Sequence, residues 1–94
     1  MISLKQLRYF DFLAATGHFG RAAVRAGITQ PALSMQIRDL ETALGGPLIE
    51  RGPGGARLTD LGREVAARSS RILASVRDLE ELAFVQGDVL SGPL

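Results

Sequence analysis

FGRAAVRAGITQPALSMQIRDLETAL, residues 19–44, decides the fold of this 94-residue chain. Phe19 to Ala26 suffices for about two helical turns at 3.6 residues per turn. Ala22, Ala23 and Ala26 are small, so another helix can approach closely. Gly27-Ile28-Thr29 breaks the pattern. Thr29 is a good N-cap, and Pro31 falls in the first turn, where its missing N–H does little harm. A further helix is expected from about Gln30 to Leu44. Its apolar positions Leu33, Ile37, Leu40 and Leu44 recur at helical spacing. Gln30, Ser34, Gln36, Arg38 and Asp39 make its other side polar. Two helices joined by a tight turn, the second with a polar outer face, form a helix-turn-helix.

Outward from that motif, the upstream residues supply one more helix. Ser3-Leu4-Lys5-Gln6 has the form of a capping box. Leu7, Phe10, Leu13 and Ala14 give the helix an apolar face, and Gly17 ends it. Downstream, Gly45-Gly46-Pro47 stops the motif's second helix. Leu48-Ile49-Glu50-Arg51 and Ala56-Arg57-Leu58 read as short strands around the turn Gly52-Pro53-Gly54-Gly55. A two-stranded flap after a helix-turn-helix is a wing. Thr59 then caps a last helix, with Asp60 favourable to its dipole. It should run to about Gln86, roughly 28 residues and about 42 Å. Val65, Ile72, Val76, Leu79 and Ala83 fall on one stripe, with Ser69 filling the gap. That stripe suits a helix–helix seam. Leu61, Leu73 and Leu82 widen it toward the globular part. Residues 87–94 read as a Gly-containing hinge. The expected class is mainly α: a winged helix-turn-helix over 1–58, a dimerisation helix over 59–86 and a hinge over 87–94.

Composition is that of a folded chain, with 46% hydrophobic and 22% charged residues. It has no Cys, which rules out disulfides and thiolate metal sites. No apolar run approaches the ~20 residues of a membrane span, and the first residues do not form a secretory signal, so a cytoplasmic protein is expected. Net charge is +1, but its distribution is uneven. Residues 1–58 hold seven Lys/Arg against four acids; residues 59–94 hold four Arg against six acids. The basic character sits with the helix-turn-helix.

A major groove admits one helix, and its base edges carry a unique donor and acceptor pattern. Gln30 and Gln36 can donate and accept together, Ser34 can do either, and Arg38 can pair with guanine or phosphate. Thr29 and the free N–H groups beside it can hold a phosphate oxygen. Arg57 and Arg51 would follow the backbone or minor groove from the wing. Each feature has a plainer reading: a solvated helix face, an ordinary hairpin, ordinary caps. His18, the one His, reads as a cap or at most a phosphate contact. It is the order of the features that points to DNA.

Residues 28–51 resemble the LysR-type signature, a Ser/Thr-Gln-Pro-x-x-Ser-x-x-Ile-x-x-Leu-Glu-x-x-Leu-Gly core followed by Leu-Phe-x-Arg. Arg57-Leu58-Thr59-x-x-Gly62 is similar to the family's wing exit. Phe10, Gly17-His18-Phe19 and Ala22-Ala23 are similar to its first helices. The resemblance covers roughly residues 1–86. It implies a winged helix-turn-helix regulator whose long helices pair antiparallel in a dimer, with an effector domain beyond this sequence. It places DNA contacts at Thr29, Gln30, Pro31, Ser34, Gln36 and Arg57; Arg38 and Arg51 are added from their own positions. Thr29 stands where Ser is usual and Ile49 where Phe is frequent. Gly46-Pro47 and the glycines of 52–55 depart from the pattern. Residues 87–94 are similar to the hinge of the peroxide-sensing OxyR branch.

The expected function is sequence-specific binding of a homodimer to a partly palindromic promoter site in double-stranded DNA. The dimer seam is expected at Val65, Ser69, Ile72, Val76, Leu79 and Ala83. For the full-length protein, a tetramer and contact with RNA polymerase are the further partners expected. The competing reading is a winged helix that binds protein, which the modest charge favours. No cofactor or metal is expected, and no catalysis: one His, no Cys and no clustered carboxylates offer no nucleophile–base pair.

Overall fold

The computed structural model describes residues 1–91, with side chains through Val85. The elements are α1 (Leu4–Thr16), α2 (Phe19–Ala26), α3 (Gln30–Leu44), β1 (Ile49–Gly52), β2 (Gly55–Leu58) and α4 (Asp60–Ser91). α1, α2 and α3 pack on one another, and α4 returns across α1. Phe10, Leu13, Leu33, Ile37, Leu40 and Leu48 are fully buried at their meeting point. Ala22 and Ala23 are buried as well, so α2 sits close to its neighbours as small side chains allow. Winged helix-turn-helix is therefore the observed fold, with a long helix leaving it.

The caps are local and match the sequence. Ser3 and Gln6 exchange hydrogen bonds at 3.0 and 3.1 Å and start α1. His18 starts α2 by accepting the Arg21 N–H on Nδ1 at 3.1 Å. Thr29 Oγ1 accepts the Ala32 N–H at 3.2 Å and starts α3. Each cap satisfies a backbone donor that the first helical turn leaves free.

The wing is a two-stranded antiparallel hairpin, with Ile49 opposite Leu58 and Gly52 opposite Gly55. Both strands differ from the sequence reading by a residue. Leu48 is not in the first strand; it is fully buried in the core, which fixes where the hairpin departs. Its N–H is held by Glu41 Oε2 at 2.8 Å and its carbonyl by the Thr59 N–H at 3.0 Å. The returning strand is fixed to the α1–α2 corner, where the Ala56 N–H donates to the Gly17 carbonyl at 3.0 Å. Gly55 allows that approach: a Cβ there would lie 2.6 Å from the Gly17 oxygen.

α4 begins under similar constraint. Thr59 Oγ1 donates to the Pro47 carbonyl at 2.7 Å and accepts the Gly62 N–H at 2.9 Å. A Cβ at Gly62 would fall 2.0 Å from the Leu48 carbonyl oxygen, so only glycine fits. The helix then runs to Ser91, past the expected end at Gln86. Gly87 does not stop it. One glycine in a helix costs only about 1 kcal/mol relative to Ala, and no proline intervenes. The hinge expected over 87–94 is thus helical through Ser91, and its last three residues lie outside the described ones. No described helix is long and apolar enough to cross a membrane.

Candidate nucleic-acid interface

α3 is held by its buried row Leu33, Ile37 and Leu40, which turns the other side of the helix outward. Thr29, Gln30, Pro31 and Arg38 are exposed, and Ser34 is half-buried beside them. Gln36 sits apart. It is two residues from Ser34, about 200° around the helix axis, and half-buried on the opposite flank. The structure therefore brings Thr29, Gln30, Pro31, Ser34 and Arg38 together and leaves Gln36 off that face. Met35 occupies the outward face instead, 62% exposed. Sequence reasoning passed over it, although helical spacing from Leu33 and Ile37 already placed it there.

Three elements converge at the start of α3. His18, Gly20, Gln30 and Arg51 line a shallow cleft of about 260 Å³ between α2, α3 and the wing base. Gly20 makes room for it. A Cβ there would meet His18 Cε1 at 2.9 Å and Gln30 Oε1 at 3.9 Å. The cap on Nδ1 requires that nitrogen to be an acceptor, so a neutral His18 imidazole carries its proton on Nε2.

The two wing arginines differ. Arg57, on β2, is exposed and forms no ion pair among the described residues. Arg51, on β1, is exposed too, but lies over the motif. Its guanidinium lies 4.3 Å from the centre of the Phe19 ring, and it donates a hydrogen bond to Ser34 Oγ. Phe19 is a further residue the sequence reading did not place in the site.

The second expected site, on α4, divides in two. Val65 packs on the head's core, and Ser69 is 1% exposed within the chain's own body. Ser69 is therefore a correction to the expected seam: a side chain covered by its own chain is not available to a second one. Leu73, expected to widen the stripe, is also buried. Val76 is half-buried, and Ile72, Leu79 and Ala83 are exposed. The stripe starts as intramolecular core and ends as open surface.

A family model described as the bacterial regulatory helix-turn-helix protein, lysR family, matches residues 4–63. The transcriptional regulator EstR of Acinetobacter baylyi is 45% identical over 92 residues, covering 98% of this chain and 31% of that protein. Among solved structures, a full-length OxyR variant from Pseudomonas aeruginosa has a TM-score of 0.85 at 38% identity, over 90% of this chain and 29% of that one. The crystal structure of a complex between the CbnR DNA-binding domain and DNA has a TM-score of 0.84 at 30% identity, over 92% of this chain and 99% of that one. The chain thus spans less than a third of EstR's length. These identities do not single out the peroxide-sensing branch. The helix-turn-helix, the wing and the match over nearly all of its length agree: the chain belongs to the lysR family of bacterial regulatory helix-turn-helix proteins.

Proposed function

We propose that this chain is the DNA-reading part of a bacterial cytoplasmic transcription regulator, and that it binds a partly palindromic promoter site as a homodimer. The observation that carries the reading is the α3 face. Thr29, Gln30, Pro31, Ser34, Met35 and Arg38 stand outward from a helix fixed by three buried side chains. Such a face fits a major groove, with the start of the helix nearest the base edges. Gln30 offers a donor and an acceptor to one base edge, Arg38 a cation, and Met35 an apolar surface for a thymine methyl group. Thr29 keeps its O–H free of the cap and can donate to a phosphate. Arg57 supplies the wing's phosphate contact. Gln36 acts only at the margin of the groove.

The dimer forms through the open part of α4. Ile72, Leu79 and Ala83 share one stripe, and two copies can bury it against each other. Residues 1–58 are the reading head, 59–86 the pairing helix, and 87–94 lead toward an effector domain. Tetramers and RNA polymerase contact belong to the full-length regulator. The protein-binding alternative finds one exposed apolar side chain, Met35, on the α3 face and none of the aromatic anchors that protein interfaces favour.

The test replaces Gln30 and Ser34 together by Ala. Sequence preference, read by competition between a selected duplex and random duplexes, falls while the thermal midpoint barely moves. Unchanged preference sinks the reading.

A further inference from the structure

Arg51 has the charge of a DNA contact, yet both of its visible interactions are within the protein. Its guanidinium stacks on Phe19, the first residue of α2, at 4.3 Å from the ring centre. It also donates to Ser34 Oγ on α3. One side chain of the wing therefore touches both helices of the motif. An arginine can make both contacts at once. Its planar group stacks on a ring with its face and donates with its edge, which a lysine ammonium cannot do.

The consequence falls on Ser34. A hydroxyl has one proton and two lone pairs. Inside a helix that proton is often given to the carbonyl four residues back. Thr16 and Thr42 do so here, donating to Phe12 and Arg38 carbonyls at 2.9 and 3.0 Å. Ser34 instead accepts from Arg51, and no such backbone bond is present for it. Its proton has no acceptor among the described residues.

We propose that Arg51 is a positioning residue: it locks the wing base to the reading helix and sets the Ser34 hydroxyl as a donor toward a hydrogen-bond acceptor on the DNA. That acceptor is a phosphate oxygen or an acceptor atom on a base edge, such as guanine O6 or thymine O4. The proposal rests on the DNA-reading function proposed above. It gives Arg51 a different part from Arg57, although both are wing arginines.

The experiment measures duplex affinity across a salt series for the whole 94-residue chain. Arg51→Ala and Ser34→Ala each weaken binding about tenfold, the scale of a charge-assisted hydrogen bond. The double variant is no weaker than the worse single one, because both remove the same link. The dependence of log affinity on log salt keeps its wild-type slope in Arg51→Ala. Arg51→Lys keeps the charge and still behaves like Arg51→Ala. A phosphate contact gives the opposite set: a slope smaller by about 0.9, effects that multiply, and rescue by lysine. That set overturns the proposal. Where Ser34→Ala weakens every duplex equally, its acceptor is a phosphate. Where the loss is confined to one base position, the acceptor is that base. A second readout needs no DNA. Amide exchange of the wing in the free protein speeds several-fold in Arg51→Ala and in Phe19→Leu. Unchanged exchange overturns the proposal even if duplex binding itself fails, which would count against the broader function instead.

Discussion

The two halves of α4 have similar apolar content and opposite surroundings. From Gly62 to Leu73 the helix lies on the head, with Gly62 against the Leu48 carbonyl, and Ser69 and Leu73 buried. From Leu79 to Val85 the apolar side chains are open: Leu79, Leu82, Phe84 and Val85 are each more than half exposed. The first half finds its cover within the chain. The second half finds none among the described residues, and a second copy of the same helix is the partner proposed. Stability should therefore be sensitive at the covered positions Gly62 and Leu73, and assembly at the open ones, Ile72 included.

The largest effect is expected at Gly62. Gly62→Val drives a side chain into the Leu48 carbonyl oxygen, which the Thr59 N–H holds in place, and the head should lose about 3 kcal/mol in urea unfolding. A small loss would mean that α4 can lift off the wing approach. Next comes a matched pair. Leu73→Ala should lower unfolding stability by about 2–3 kcal/mol as a buried truncation. Leu79→Ala, measured at dilution, should stay within about 0.5 kcal/mol as an exposed one. Equal losses would erase the difference between the halves. Ile72→Glu should leave the head folded but raise the dimer dissociation constant at least tenfold in sedimentation, because pairing would bury an unmatched charge. The smallest effect is at Ser69, whose Oγ is buried without a hydrogen-bond partner. Ser69→Ala should be neutral or stabilising by up to about 1 kcal/mol, because an orphan hydroxyl is removed. A weakened dimer with unchanged unfolding would return Ser69 to the seam.

What the sequence made legible is what neighbouring residues decide. Ser3 with Gln6, Thr29 with Ala32 and Thr59 with Gly62 are caps closed within three residues, so residue type and spacing suffice. The α3 core row was legible for the same reason. The contacts that shape the site were not, because they join distant segments. Nothing in the order of residues shows that Glu41 holds the Leu48 N–H, that Gly17 accepts from Ala56, or that Arg51 lies across Phe19 to Ser34. Ser69 was misplaced because a stripe on a helix does not say whether its cover comes from the same chain. Gln36 was expected on the same face from its polarity and from the family pattern; its angle from Ser34, about 200° around the axis, puts it on another flank.

The central claim, a dimer that reads DNA through α3, is tested most directly by fluorescence anisotropy of this chain. It is measured with duplexes selected from a random pool, over a salt series. The expected result is a selected site with two related halves about one helical turn apart, or a multiple of it, and affinity that falls steeply with salt. No binding at low salt, or a single unrepeated half-site, would contradict it.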